Sequence, residues 1–348
     1  MQLIRCAARA ASRVQAITER PARGRSSLLR FAPMRRPLPA AAINRCTSDS
    51  CRRQVETVSI QSARTTSSGE SMRVLALSPG PLSLQLERLP VLASLCSSVG
   101  ANLQVACSPA VKAAWELLPQ LEKVIPFNFE ASPTLADWAN LLGCVREPDF
   151  QVCLNFAEGQ QVNLMLSMSH IPSRIAGSGF SSTELVTPHP GWSSQRLGSY
   201  LKPLGCELDA DAFRLALPTT ALEKARADLP AGDGPLLVLA PKGGSADWPV
   251  DAWTALPETI SQRLEGLRCS ELPVEMNLSS RAAAVACADV VLSSCPITQW
   301  LAVFSGVPLV ALGGNPDNMP ERPDLRCLGH ADRLGELKPD EILQALGF

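Results

Sequence analysis

From Met72 onward, short apolar runs alternate with stretches of helical periodicity, and few architectures accept that order. Runs at 72–77, 103–107, 124–129 and 150–156 are separated by helical patterns over 89–98, 111–118 and 135–145. A strand that must cross a helix before meeting the next strand returns parallel to it, not as a hairpin. Continuous apolar runs, as opposed to alternating ones, mark strands buried on both faces. After a turn-rich loop at 178–199 and a linker around Pro218 and 229–234, a second series begins. It has strands at 235–240, 289–292 and 307–312, and helices at 252–267, 279–288 and 297–304. The pattern predicts an α/β protein with two doubly wound, Rossmann-like domains, 71–217 and 218–348, facing a cleft. Ligands of such sheets sit at the carboxyl ends of the strands. No period of about 20–50 residues recurs, so a repeat array is excluded.

Charge divides the chain differently. Residues 1–70 hold 13 Arg, no Lys and four acids (Glu19, Asp49, Glu56, Glu70), a net +9. The other 278 residues hold 19 basic and 29 acidic groups. An acidic body has no basic surface to repay phosphate charge, which argues against nucleic acid as a partner. Arg5, Arg9 and Arg13 recur at helical spacing, and a Ser/Thr-rich stretch at 65–68 closes the segment. An Arg-rich, Ser-rich, acid-poor composition without a long apolar stretch is that of an organelle transit peptide, not a secretory signal. These residues alone do not separate plastid from mitochondrion. No apolar run reaches the ~18 residues of a membrane span.

Twelve Cys and three His contain no CxxC and no zinc-like spacing, so no metal site is expected. Several thiols lie in apolar runs (Cys107, Cys153, Cys287) and read as small buried hydrophobes in a reducing compartment. No cofactor is expected.

Two stretches, 135–143 (Leu-Ala-Asp-Trp-Ala-Asn-Leu-Leu-Gly) and 171–179 (Ile-Pro-Ser-Arg-Ile-Ala-Gly-Ser-Gly), complete the picture. With them, residues 72–335 resemble glycosyltransferase family 9, the ADP-heptose:lipopolysaccharide heptosyltransferase type, in its cyanobacterial branch. The resemblance implies a GT-B fold, with acceptor in the first domain and nucleotide sugar in the second. A body of that branch behind a transit-like segment implies a chloroplast protein, with mitochondrion as the alternative.

The functional motifs of that family are altered here. Its first loop carries an Asp expected to act as general base; the matching loop is Gly80-Pro81-Leu82-Ser83-Leu84, with Leu84 at the Asp position and Pro90 in register. Leucine accepts no proton, and general base catalysis contributes about 10²–10⁴-fold. Glu87, three residues on, and Glu158, just after a strand end, are the candidate substitutes. In the second domain, Lys242-Gly243-Gly244-Ser245 keeps a small-residue turn whose backbone N–H groups suit a diphosphate. Trp248-Pro249 remains, but Ala246-Asp247 precedes it where the family has a lysine, leaving Lys242 as the available cation. The family's D-S-G-x-x-H-L-A aligns with 295–302, so Asp becomes Cys295 and His becomes Trp300. Only about eleven residues separate Leu267 from the next helix, so one βα unit of the second domain reads as trimmed.

Three functions follow from these readings. The first is a binding or partner module whose transferase activity is lost or greatly weakened. The second is a transferase moving a hexosyl or heptosyl group from a nucleotide sugar with a relocated base, and the third is a structural subunit of a plastid complex. The partners implied are a nucleotide sugar and a plastid protein.

Overall fold

A computed structural model describes residues 72–348; the reading of 1–70 as a transit segment lies outside them. The N-terminal lobe is a six-stranded parallel sheet: β1 (Arg73–Leu77), β2 (Asn102–Cys107), β3 (Leu121–Pro126), β4 (Val152–Asn155), β5 (Ser173–Ala176) and β6 (Glu184–Leu185). Its strand order is β3-β2-β1-β4-β5-β6. The helices α1 (Leu82–Glu87), α2 (Leu89–Val99), α3 (Leu135–Arg146) and α4 (Gln160–Ser167) cover it, and the short α5 (Ser193–Arg196) follows. The C-terminal lobe opens with α6 (Thr219–Asp228). Its sheet is built from β7 (Leu236–Ala240), β8 (Arg268–Glu271), β9 (Val290–Ser293), β10 (Leu309–Leu312) and β11 (Leu325–Leu328). Here the order is β11-β10-β9-β7-β8, again all parallel. Between these strands run α7 (Val250–Ser261), α8 (Leu278–Ala286) and α9 (Pro296–Ser305), and α10 (Pro339–Leu346) closes the chain.

In each sheet the strand order reverses once, between β1 and β4 and between β7 and β9. The loops after those strands are where ligands of open α/β sheets bind. They contain the 80–84 and 241–245 turns and Cys295.

Several segments differ from the sequence reading: β5, β6 and β11 and the helices α4, α6 and α10 lie outside the expected runs, β6 and α5 fall within the 178–199 loop, β3 starts three residues before the 124–129 run, and α7 ends at Ser261. The helix expected at 111–118 is a 3-10 helix, Pro109–Leu117. Its buried Val111, Ala114 and Leu117 recur every three residues, which suits a threefold turn. The interval read as trimmed does hold a strand, β8, although no helix follows it before α8. β8 reads Arg-Cys-Ser-Glu at a sheet edge, so one of its sides needs no apolar neighbour and the apolar signal is missing.

The hydrophobic core does not stop at the lobe boundary. One buried cluster runs from Val74, Leu86 and Leu103 through Trp192 to Val238, Trp300 and Phe304. α1 packs on α9. Trp192 stacks on Trp300 (ring centroids 5.9 Å apart, planes 26° apart), and Trp300 on Phe304 (5.5 Å, 17°). Phe213 meets the edge of Phe304 at 5.2 Å. Trp300 and Phe304 are four residues apart on α9 and so share a face. The segment carrying Trp192 and Phe213 bonds to both lobes. Ser194 Oγ donates to the Glu87 carbonyl (2.8 Å), Ser193 Oγ to the Asn318 carbonyl (3.0 Å), and the Leu215 N–H to the Phe304 carbonyl (3.0 Å).

Trp300 is 5% exposed, so truncating it opens a cavity between the lobes. Trp300→Ala should cost about 3–5 kcal/mol in urea denaturation. A loss below ~1 kcal/mol would mean that the stack does not hold the lobes together.

Candidate functional site

The first loop is fixed by one buried side chain. Gln85 Oε1 accepts from the Ser78 hydroxyl (2.6 Å) and the Trp115 indole N–H (3.1 Å). Its Nε2 donates to the Pro79 (3.0 Å) and Gly80 (2.9 Å) carbonyls. Three of these four bonds shape residues 78–80, and the fourth ties the amide to Trp115. Arg88 adds a donor to Ser78 Oγ (2.7 Å) and lies 4.9 Å from the centroid of the Phe156 ring. Burial pulls the Arg88 guanidinium down to about 10, with Glu87, Tyr200 and Glu130 opposing.

The loop therefore presents Pro81, Leu82 and Ser83 to a cleft of ≈ 540 Å³ between the lobes. The opposite wall comprises Pro241, Lys242, the 274–278 segment, Arg281, Cys295 and Ile297. It is largely apolar, with Lys242, Arg281 and Glu275 as its charges. Leu84 is 38% exposed and folds back on Gly80, where a Cβ would meet Leu84 Cδ1 at 2.9 Å.

Neither candidate substitute base lines this cleft. Glu87 is turned toward α5: burial pushes its carboxyl above the ordinary value, against Arg88, Arg196 and a hydrogen bond from Ser193. Glu158 is exposed beyond β4. A carboxylate that sequence reasoning passed over sits on the loop instead. Glu130 accepts the Gly80 N–H. It follows β3, its own N–H donates to Asn128 Oδ1 (3.3 Å), and the neighbouring Phe127, Phe129 and Trp138 pack as an aromatic trio. Nothing in its local sequence marks it, because the pairing is made across 50 residues.

On the C-terminal wall, Lys242 and Cys295 reach the cleft, while Gly243, Gly244 and Ser245 are exposed beside it. Trp300 lies in the interlobe stack and does not line the cleft. The turn's N–H groups are partly spent internally. That of Lys242 donates to Ser294 Oγ (2.8 Å), and that of Gly243 to Asp247 Oδ2 (2.7 Å). Asp247 Oδ1 also accepts the Trp248 N–H (2.7 Å), and the residue is 8% exposed. These two donors are therefore engaged within the chain. Arg281, also missed in the sequence, is 4% exposed. It donates to Thr298 Oγ1 (3.1 Å) and to the Pro273 and Val274 carbonyls, and no ion pair joins it to a carboxylate among the described residues.

The architecture has clear counterparts among solved structures. The ADP-heptose LPS heptosyltransferase II of E. coli matches with a TM-score of 0.61 at 14% identity, over 79% of this chain and 97% of its own. E. coli heptosyltransferase WaaC, solved with ADP-2-deoxy-2-fluoro heptose, gives 0.59 at 15%, over 78% and 98%. A family 9 glycosyl transferase from Veillonella parvula DSM 2008 gives 0.59 at 13%, over 79% and 95%. The fold is GT-B. No family model and no curated protein matches the sequence. In the GT-B frame the cleft described above is the interdomain one, with the 80–84 loop on one wall and the 241–245 turn beside the other.

Glu87 yields a pH-dependent expectation. An acid whose folded value is raised is penalised in its ionised form, so its contribution to stability is largest when protonated and is lost as pH rises. Glu87→Gln mimics the protonated form. It should be more stable than the native chain at pH 7, with the gap in urea midpoints closing as pH falls toward 4.5. A gap that widens on acidification would contradict the desolvated placement.

Proposed function

We propose that this chain is a plastid-targeted, glycosyltransferase family 9-like protein whose transferase activity is lost or greatly weakened, and which acts by binding a partner through its interdomain cleft. The observation that carries the reading is the acceptor-side wall. It consists of Pro81, Leu82 and Ser83, with Leu84 beside them and no carboxylate among the residues that line it. Sugar transfer needs a group to take the acceptor's proton, and neither Glu87 nor Glu158 is among the residues that line the cleft. The altered donor side supports the same reading: Cys295 offers no carboxylate, and Trp300 is committed to packing. The plastid part rests on the composition of residues 1–70 and on the sequence resemblance.

Full-length protein incubated with ADP-glucose should release ADP no faster than buffer. A second reading, an active transferase, is favoured by Glu130, the one carboxylate bonded to the first loop among the described residues. ADP release that falls about 10²-fold or more in Glu130→Gln would establish it. For the address, a fluorescent protein fused behind residues 1–70 should accumulate in plastids of a plant cell; mitochondrial accumulation would select the alternative.

A further inference from the structure

Gly243 and Gly244 are consecutive glycines in the left-handed region, with φ of 79° and 85°. The backbone N–H groups of such a turn are available to an anion. In this chain the anion is already present. Asp247 places Oδ2 on the Gly243 N–H (2.7 Å) and Oδ1 on the Trp248 N–H (2.7 Å), and its own N–H closes the turn on the Gly244 carbonyl (3.3 Å). The carboxylate is buried, so solvent does not share these bonds. The opposite wall repeats the arrangement: Gly80, with φ of 96°, gives its N–H to the Glu130 carboxylate.

The surroundings of the turn are those of an anion site. Lys242 lines the cleft beside it, and Arg281 is a buried cation further along the same wall. A Cβ on Gly243 would lie 3.5 Å from Val274 Cγ2, so the glycine borders the cleft itself.

We propose that Asp247 is a built-in surrogate for an anionic ligand group: it occupies the anion site of the C-terminal lobe and thereby excludes diphosphate-bearing ligands from the native cleft. Like charges at such a separation repel strongly in a partly desolvated site. A phosphate entering the turn would have to displace the carboxylate from two backbone donors. Ligands of the native cleft are then uncharged or singly charged groups that reach Lys242 without entering the turn. The proposal rests on the reading of the cleft as non-transferring, and it adds the reason a donor is not held.

Binding is tested by calorimetry on the full-length chain, with ADP and inorganic pyrophosphate as probes. The native chain should give no saturable heat at up to about 1 mM ligand, a concentration range that corresponds to weak binding. Asp247→Ala should bind both probes at least tenfold more tightly, and Asp247→Ala combined with Lys242→Met should lose that gain. Asp247→Asn keeps the shape and one acceptor, so it decides the matter if the alanine variant does not unfold cooperatively; it too should gain affinity. Native protein that binds ADP as tightly as the variants, or folded variants that bind neither probe, would overturn the proposal. Native binding of ADP without turnover sinks this proposal alone, whereas ADP-glucose turnover sinks the reading it rests on.

Discussion

The stack of Trp192, Trp300 and Phe304 sets the geometry of everything around the cleft. Two parallel sheets each bury their own strands, but neither supplies the apolar surface that seals the other. Trp192 arrives from the linker, Trp300 and Phe304 from one face of α9, and together they join the core of one lobe to that of the next. Large aromatic surfaces buried this way dominate local energetics. Because α1 leans on α9, the first loop and the Cys295 end of α9 are held on facing walls by the same packing. A hinge between lobes usually resembles a transient interface, polar and modest in area. This junction is instead an apolar core, reinforced by the hydroxyl-to-carbonyl bonds of Ser193 and Ser194.

Within that frame, the two glycine-containing loops are rigid for reasons that have little to do with a substrate. Gln85 satisfies three partners inside the first loop and Trp115 beside it, and Asp247 two inside the second. In a site built to take a ligand, such donors are left for it. Here the chain has turned them inward, which gains order in the free protein. Arg281 follows the same logic: its guanidinium fastens the 273–274 wall and meets no carboxylate among the described residues.

Much of the fold was legible because burial on both faces leaves a contiguous apolar signature. The runs that became β1, β2, β4, β7, β9 and β10 were read within a few residues of their observed ends. β8 was not legible, since an edge strand of Arg, Cys, Ser and Glu owes its conformation to the ladder with β7 and not to its side chains. The 3-10 segment was mistaken for a helix because over nine residues periods of three and 3.6 differ too little to separate. For the site, positions were legible and partners were not. Leu84, Cys295 and Lys242 could be located from motif register, whereas the role of Asp247 depends on a turn that folds four residues back. Glu130 depends on a contact between loops after two different strands. Sequence spacing carries no record of either.

The shared core also bears on how the molecule comes to be folded. Trp192 and Trp300 lie over a hundred residues apart, so the surface that completes the N-terminal lobe is encoded near the far end of the chain. A chain emerging from the ribosome exposes the apolar flank of α1 and Trp192 until α9 has also emerged. During that interval the first sheet is a sticky half-product. A molecule so arranged should lean on chaperones as it emerges, and should lose both lobes together when its last third is cut away.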